Sequence, residues 1–302
     1  MLDLLSRAGC FVAIIVLGFV LRRIGFFKEG DFRVLSQIAL KITLPASVVV
    51  SFAQMTVEPA MLTVVLISLT CGLIYIGIAF LLNIKSSKEQ RAFDVLNIPG
   101  YNIGLFAVPF VQSFLGAGGV IVTSLFDTGN AFVCLGGSYG IASSVKDGNG
   151  FSFKRIGKAL VTSVPFMTYI IMIILNLTRI QLPGVVLSFA EVIKNASTFV
   201  AMLMIGVGFE LKADKKQLGQ IFKIVAVRYG LAAVYASVFY FVLPFALEVR
   251  QALVLLAFSP ISAAVPAFTG ELKSDVGLSS AVNSVCILCS IVFMTALMLV
   301  MA

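Results

Sequence analysis

Asn97-Ile98-Pro99-Gly100-Tyr101-Asn102-Ile103-Gly104, with Pro109 five residues further on, interrupts an otherwise apolar run from about residue 92 to 115. Proline has no N–H to donate and glycine does not hold the backbone helical, so this run predicts a helix broken near its middle. Ser259-Pro260-Ile261-Ser262, followed by Pro266 and Gly270, breaks a second apolar run from about residue 250 to 270 in the same manner. A local pattern recurs in the two runs, Ala107-Val108-Pro109 against Ala264-Val265-Pro266. Such residues are tolerated in membrane spans where the freed backbone groups find partners beside a polar cavity. Interrupted spans at corresponding positions of two halves point to the binding site of a transporter.

Composition places these runs in a membrane. Of the 302 residues, 60% are apolar and only 12% charged, against roughly 25% charged in ordinary globular domains. That balance excludes a water-soluble enzyme, a nucleic-acid binder and a disordered chain. Histidine is absent, which removes imidazole metal sites, serine-hydrolase triads and imidazole proton relays; no metal or other cofactor is expected. The five cysteines are scattered through apolar segments, and Cys286 and Cys289 share one helix face inside such a segment, which reads as packing. The opening run, Leu4 to Leu21, is followed by Arg22 and Arg23 without a small-residue cleavage site, so it reads as a retained helix.

A helix needs about 20 apolar residues to cross the hydrocarbon core. Apolar runs predict ten spans, at about residues 4–21, 33–54, 60–83, 92–115, 119–144, 159–179, 185–209, 221–243, 250–270 and 277–300. The broken runs are spans 4 and 9. Lys and Arg gather in the odd-numbered connections: Arg22, Arg23, Lys28 and Arg33; Lys85, Lys88 and Arg91; Lys146, Lys154, Arg155 and Lys158; Lys212, Lys215, Lys216 and Lys223; and Lys273. The opposite side holds Arg7, Arg179 and Arg250. The positive-inside rule then puts the odd connections in the cytoplasm and both termini outside. Residues 1–145 and 159–302 form halves of five spans each, joined by a cytoplasmic linker at 146–158. An odd number of spans per half gives the halves opposite senses, as an inverted repeat requires.

Several polar residues fall near one depth. Asn102 lies roughly 15 Å into span 4, and Asp127 and Asn130 roughly 12 and 16 Å into span 5 at 1.5 Å per residue, close to the middle of a core about 30 Å thick. Pro260 lies about as far into span 9. A broken helix presents bare N–H groups at one new end, which attract carboxylates, and bare C=O groups at the other, which hold cations. Asn102, Gly104, Asn130, Ser259, Pro260 and Ser262 are therefore the candidate residues for binding a small organic anion. Pro99, Gly100, Pro109, Pro260 and Pro266 are the candidates for the crossover.

At this point the sequence resembles the auxin efflux carrier family, whose bacterial members are often described as malonate or malate transporters. The marks are Leu21-Arg22-Arg23, Leu44-Pro45, Asn102 seven residues before Pro109, Phe126-Asp127-Thr128-Gly129-Asn130, and the paired prolines of span 9. The resemblance implies an all-helical integral membrane fold of ten spans. They would form two inverted five-helix repeats with spans 4 and 9 broken and crossed, as in sodium/proton antiporters and bile-acid symporters. It also implies a scaffold of spans 1, 2, 6 and 7, a mobile transport unit of spans 3–5 and 8–10, and room for a homodimer through the scaffold. In it Pro109 marks one crossover, and Pro260 or Pro266 the other. The long central loop of many plant members is missing here, which argues against auxin itself as the substrate.

Charges inside spans cost at least a few kcal/mol each and need a reason. Asp127 suits proton coupling, since removal from water favours the uncharged carboxyl; it can equally be tied to a basic partner or an amide. Glu191 and Lys194 are spaced for a salt bridge on one helix. Lys41 either snorkels toward the cytoplasm or draws an anion in. Arg228 has no evident partner, and Asp94 near the end of span 4 reads as solvated. No ATP-binding loop of the GxxxxGK[ST] form is present, so the expectation is a secondary transporter for a mono- or dicarboxylate in a bacterial inner membrane, moving it with H+. A sodium-coupled symporter of the bile-acid type, a non-transporting membrane sensor and an intramembrane enzyme are the alternatives.

Overall fold

The computed structural model describes residues 2–28, 30–147, 152–209 and 217–301, and these residues form helices and connections with no strand. The first helix, α1, is Leu2–Arg23. A reverse turn leads into α2, Asp31–Gln54, and an extended link leads to α3, Pro59–Leu82. Then come α4, Lys88–Asn97, and a continuous helical stretch, Ile103–Asp147. That stretch is turned at Gly116 (φ 61°, ψ −147°), a conformation essentially reserved for glycine, which divides it into α5 (103–115) and α6 (117–147). A side-chain carbon at Gly119 would touch Val111, eight residues earlier and about 12 Å away in a straight helix. The chain therefore doubles back at Gly116.

The second half contains α7, Phe153–Thr162, and α8, Val164–Leu177, bent by 75° at Ser163. It continues with α9, Gly184–Gly208, α10, Leu218–Phe241, α11, Leu247–Ala257, α12, Val265–Glu271, and α13, Val276–Met301. Helices thus occupy each of the ten apolar stretches. Among the described residues, six helical runs are long and apolar enough to cross a membrane by themselves, or seven with the bent α7–α8 pair. Ile103–Asp147 counts as one of these although it turns back. Large apolar side chains such as Val185, Phe222, Phe241 and Val300 are mostly exposed, as suits contact with lipid. Met1, Ala302, Lys212, Lys215, Lys216 and the centre of the linker lie outside the described residues, as does the side chain of Arg7.

The prolines inside helices are absorbed in a common way. Leu44 donates its N–H to Ala39 O, five residues back, in a π turn at Ala39–Thr43 just before Pro45. Val108 does the same with Ile103 O just before Pro109. The wider turn realigns the ladder around a residue that cannot donate. Pro109, expected at a crossover, therefore sits in the first turn of Val108–Phe132 and interrupts nothing. Its partner Pro266 likewise occupies the first turn of α12.

Close helix contact comes from glycine. Gly18 of α1 faces Leu203, Gly206 and Val207 of α9 backbone to backbone, and Gly129 of α6 lies against the backbone of Val65 in α3. Without hydrophobic drive between helices in lipid, such small-residue contacts are what hold spans together. Asp94 departs from expectation: it is fully buried rather than solvated. Lys223 from α10 reaches its carboxylate at 2.7 Å and Gln90 at 2.9 Å, which supplies the charge and hydrogen bonds that burial demands. The spaced pair Glu191 and Lys194 does meet, at 3.3 Å.

Candidate functional site

The backbone is non-helical at 98–102, between α4 and α5, and at 258–264, between α11 and α12. In the first break Gly100 takes φ 78° behind Pro99, a left-handed conformation that glycine adopts freely. In the second, Pro260 disfavours helix at the residue before it. The breaks touch: Asn102 N–H donates to Pro260 O at 2.8 Å. Pro260, not Pro266, thus lies where the two non-helical segments meet, and Pro99 and Gly100 lie on the opposing segment of that contact.

Asn130, from α6, completes the first break. Its carboxamide accepts from Tyr101 N–H at 3.0 Å and donates to Tyr101 O at 2.9 Å, replacing both helix partners that the break removed. The same nitrogen reaches Asp127 Oδ1 at 2.8 Å, one turn earlier. Asp127 Oδ2 accepts from the hydroxyl of Tyr169, on α8, at 2.9 Å. Asp127 is therefore tied to an amide and a phenol, and no basic side chain among the described residues pairs with it.

A cavity of about 220 Å³ opens beside this cluster. Asn102, Gly104, Asp127, Asn130, Tyr169 and Ser262 line it, together with the first turn of α5. Gly104 keeps the space open, because a side-chain carbon there would collide with Leu44 and stand 3.8 Å from Asp127 Oδ2. A second cavity of about 280 Å³ shares Asn102, Phe32 and Ala263 with the first and adds Arg22 and Asn283. Asn102 is thus the polar residue shared by the two chambers, and its carboxamide forms no hydrogen bond among the described residues although Asn102 is only 5% exposed.

Other expected site residues lie elsewhere. Ser259 is fully buried with its Oγ unpartnered, and lines neither cavity; the residue after it, Pro260, turns the chain so that Ser262 faces the space instead. Lys41 is exposed on the flank of α2 and lines neither chamber, so it does not contact an anion held there. Tyr101 and Tyr169 were missed from the sequence. A tyrosine within an apolar span needs a partner for its hydroxyl, which was a usable signal, but one that does not say which partner.

Paired breaks that meet around a polar cavity, in a chain of apolar helices with glycine-mediated contacts, define a helical membrane transport protein. Residues 10–149 match the family model described as membrane transport protein, that of the auxin efflux carriers. The matched stretch runs from α1 through α6 and includes the first break, Asp127 and Asn130. No curated protein matches the chain.

Proposed function

We propose that the protein is a secondary transporter for a small organic anion, a mono- or dicarboxylate such as malonate or malate, coupled to H+. The observation that carries this reading is the free Asn102 carboxamide between two chambers, beside the first turn of α5 and a lone acidic group, Asp127. The bare N–H groups of that turn favour negative charge. An anion beside an ionised Asp127 would be repelled, so its arrival calls for a proton on that carboxyl. Anion and proton then occupy the cavity together, and Tyr169 and Asn130 hold the carboxyl in either state.

In this reading α1, α2 and α7–α9 form the scaffold and the remaining helices move against it, exposing the crossing to each side in turn. The Asp127–Tyr169 hydrogen bond and the contact of Ser47 with Gln112, 3.0 Å apart, join the two units and must break on each cycle. The protein would lie in a bacterial inner membrane with both termini outside, and a homodimer would form through the scaffold.

Uptake of labelled malonate and malate into proteoliposomes is expected to rise when the outside is made more acidic than the lumen. Asp127→Asn, a close isostere that cannot take up or release a proton, is expected to remove that dependence. Uptake of all tested carboxylates that ignores the gradient, or that keeps its response in Asp127→Asn, would falsify proton coupling at this residue. Thermal stabilisation by the transported carboxylate is expected to disappear in Asn102→Ala; its survival would take Asn102 out of the binding site.

A further inference from the structure

Arg228 lies inside α10, fully buried, where a charge in hydrocarbon needs compensation. Its guanidinium spans both breaks. Nη1 donates to Ile98 O at 2.8 Å and Nη2 to Ser259 O at 2.7 Å. Ile98 closes α4, and Ser259 is the second residue beyond the end of α11, so one planar group caps the carbonyl ends of two half-helices. The rings of Tyr75 and Tyr101 stand 5.5 and 5.1 Å from the guanidinium carbon, within reach of a cation–π attraction. Tyr75 also donates its hydroxyl to the backbone carbonyl of Arg228 at 2.8 Å. No carboxylate among the described residues forms an ion pair with Arg228. Its charge is balanced by carbonyl dipoles and aromatic faces.

Converging carbonyls at the C-terminal ends of broken helices are the environment in which transporters coordinate Na+. Here a covalently attached cation already fills it. We infer that Arg228 is a built-in counter-cation that holds the two carbonyl ends together in place of a free alkali ion, and that it leaves the crossing with no use for Na+. The guanidinium is permanently charged and presents its donors in a fixed fork, so this cation is neither released nor exchanged during the cycle. The inference rests on the transport reading only in treating the crossing as the working centre, and its test needs no substrate.

The test is the melting temperature of purified protein in detergent, with salts exchanged at constant ionic strength. Wild-type protein is expected to melt at the same temperature in NaCl and in choline chloride. Arg228→Ala is expected to melt lower and to recover part of the loss in low-millimolar guanidinium or in Na+, but not in choline, as a free cation enters the vacated place. Arg228→Lys, which keeps the charge but not the fork, is expected to melt below wild type and above Arg228→Gln, which keeps hydrogen bonding but loses the charge and should fall with Arg228→Ala. If Arg228→Ala gives no folded protein, the Lys–Gln comparison decides. Stabilisation of wild type by Na+ over choline, a folded Arg228→Ala that responds to no small cation, or equal melting of the Lys and Gln variants would each overturn the proposal. None of these results depends on carboxylate uptake, so they leave the transport reading to its own experiment.

Discussion

Asn130→Ala is expected to bring carboxylate uptake down to the level of empty vesicles and to lower the melting temperature. The side chain satisfies both backbone groups of Tyr101 and also holds Asp127. Truncation leaves the buried N–H of Tyr101 without a partner, at about 1–3 kcal/mol, and its C=O with only the weak Cys134 thiol at 3.7 Å, in the segment whose neighbour Asn102 meets Pro260. It also frees Asp127 to leave the geometry in which it faces the cavity. Tyr101→Phe is the control. The Tyr101 hydroxyl is buried and unpartnered, so its removal relieves rather than creates an unsatisfied group, and melting should hold or rise. If Asn130→Ala transports and melts like the wild type, the carboxamide is not what supports the break.

The largest loss of stability is expected from Gly206→Leu. A side-chain carbon at Gly206 would overlap the carbonyl oxygen of Ile15 and lie 2.9 Å from Phe19 N. Both obstacles are backbone atoms of a helix, which cannot swing aside as a flexible side chain does. The helices must separate, which also unpacks Gly18 from Leu203 and Val207 and costs about 3 kcal/mol or more. Size-exclusion chromatography of the fluorescently tagged variant should show aggregate in place of a monodisperse peak. Gly230→Ala, inside α10 with nothing within 4 Å of the added carbon, should instead gain up to about 1 kcal/mol from helix propensity. A monodisperse Gly206→Leu with wild-type melting would mean that α1 and α9 do not pack this closely.

The positions of the breaks were legible because their cause is local. Pro99-Gly100 and Pro260 remove donors and stiffness from the backbone wherever the rest of the chain lies. The role of Pro109 was misread for a reason of the same kind: a proline in the first turn of a helix loses nothing, and sequence does not show that a π turn precedes it. Ser259 and Ser262 are alike in composition and spacing, yet one faces Arg228 with its carbonyl and the other faces the cavity. Lys41 and Asp94 were read by their sequence neighbours, whereas Asp94 is paired by Lys223 from a helix more than a hundred residues away.

By itself the sequence determined that this chain lives in a membrane as a set of apolar helices, that two of them are interrupted, and that Asp127 and Asn130 lie near the middle depth of another. Each of these follows from the partition of side chains into hydrocarbon and from the bonding capacity of single residues, which need no partner to be stated. Only the tertiary structure decided that the interruptions touch, that Asn130 serves the backbone of Tyr101, that Tyr169 reaches Asp127, and that Arg228 caps two carbonyl ends at once. A hydrogen bond is a matter of a few tenths of an ångström between groups far apart in the chain, and that distance exists only once the helices have packed.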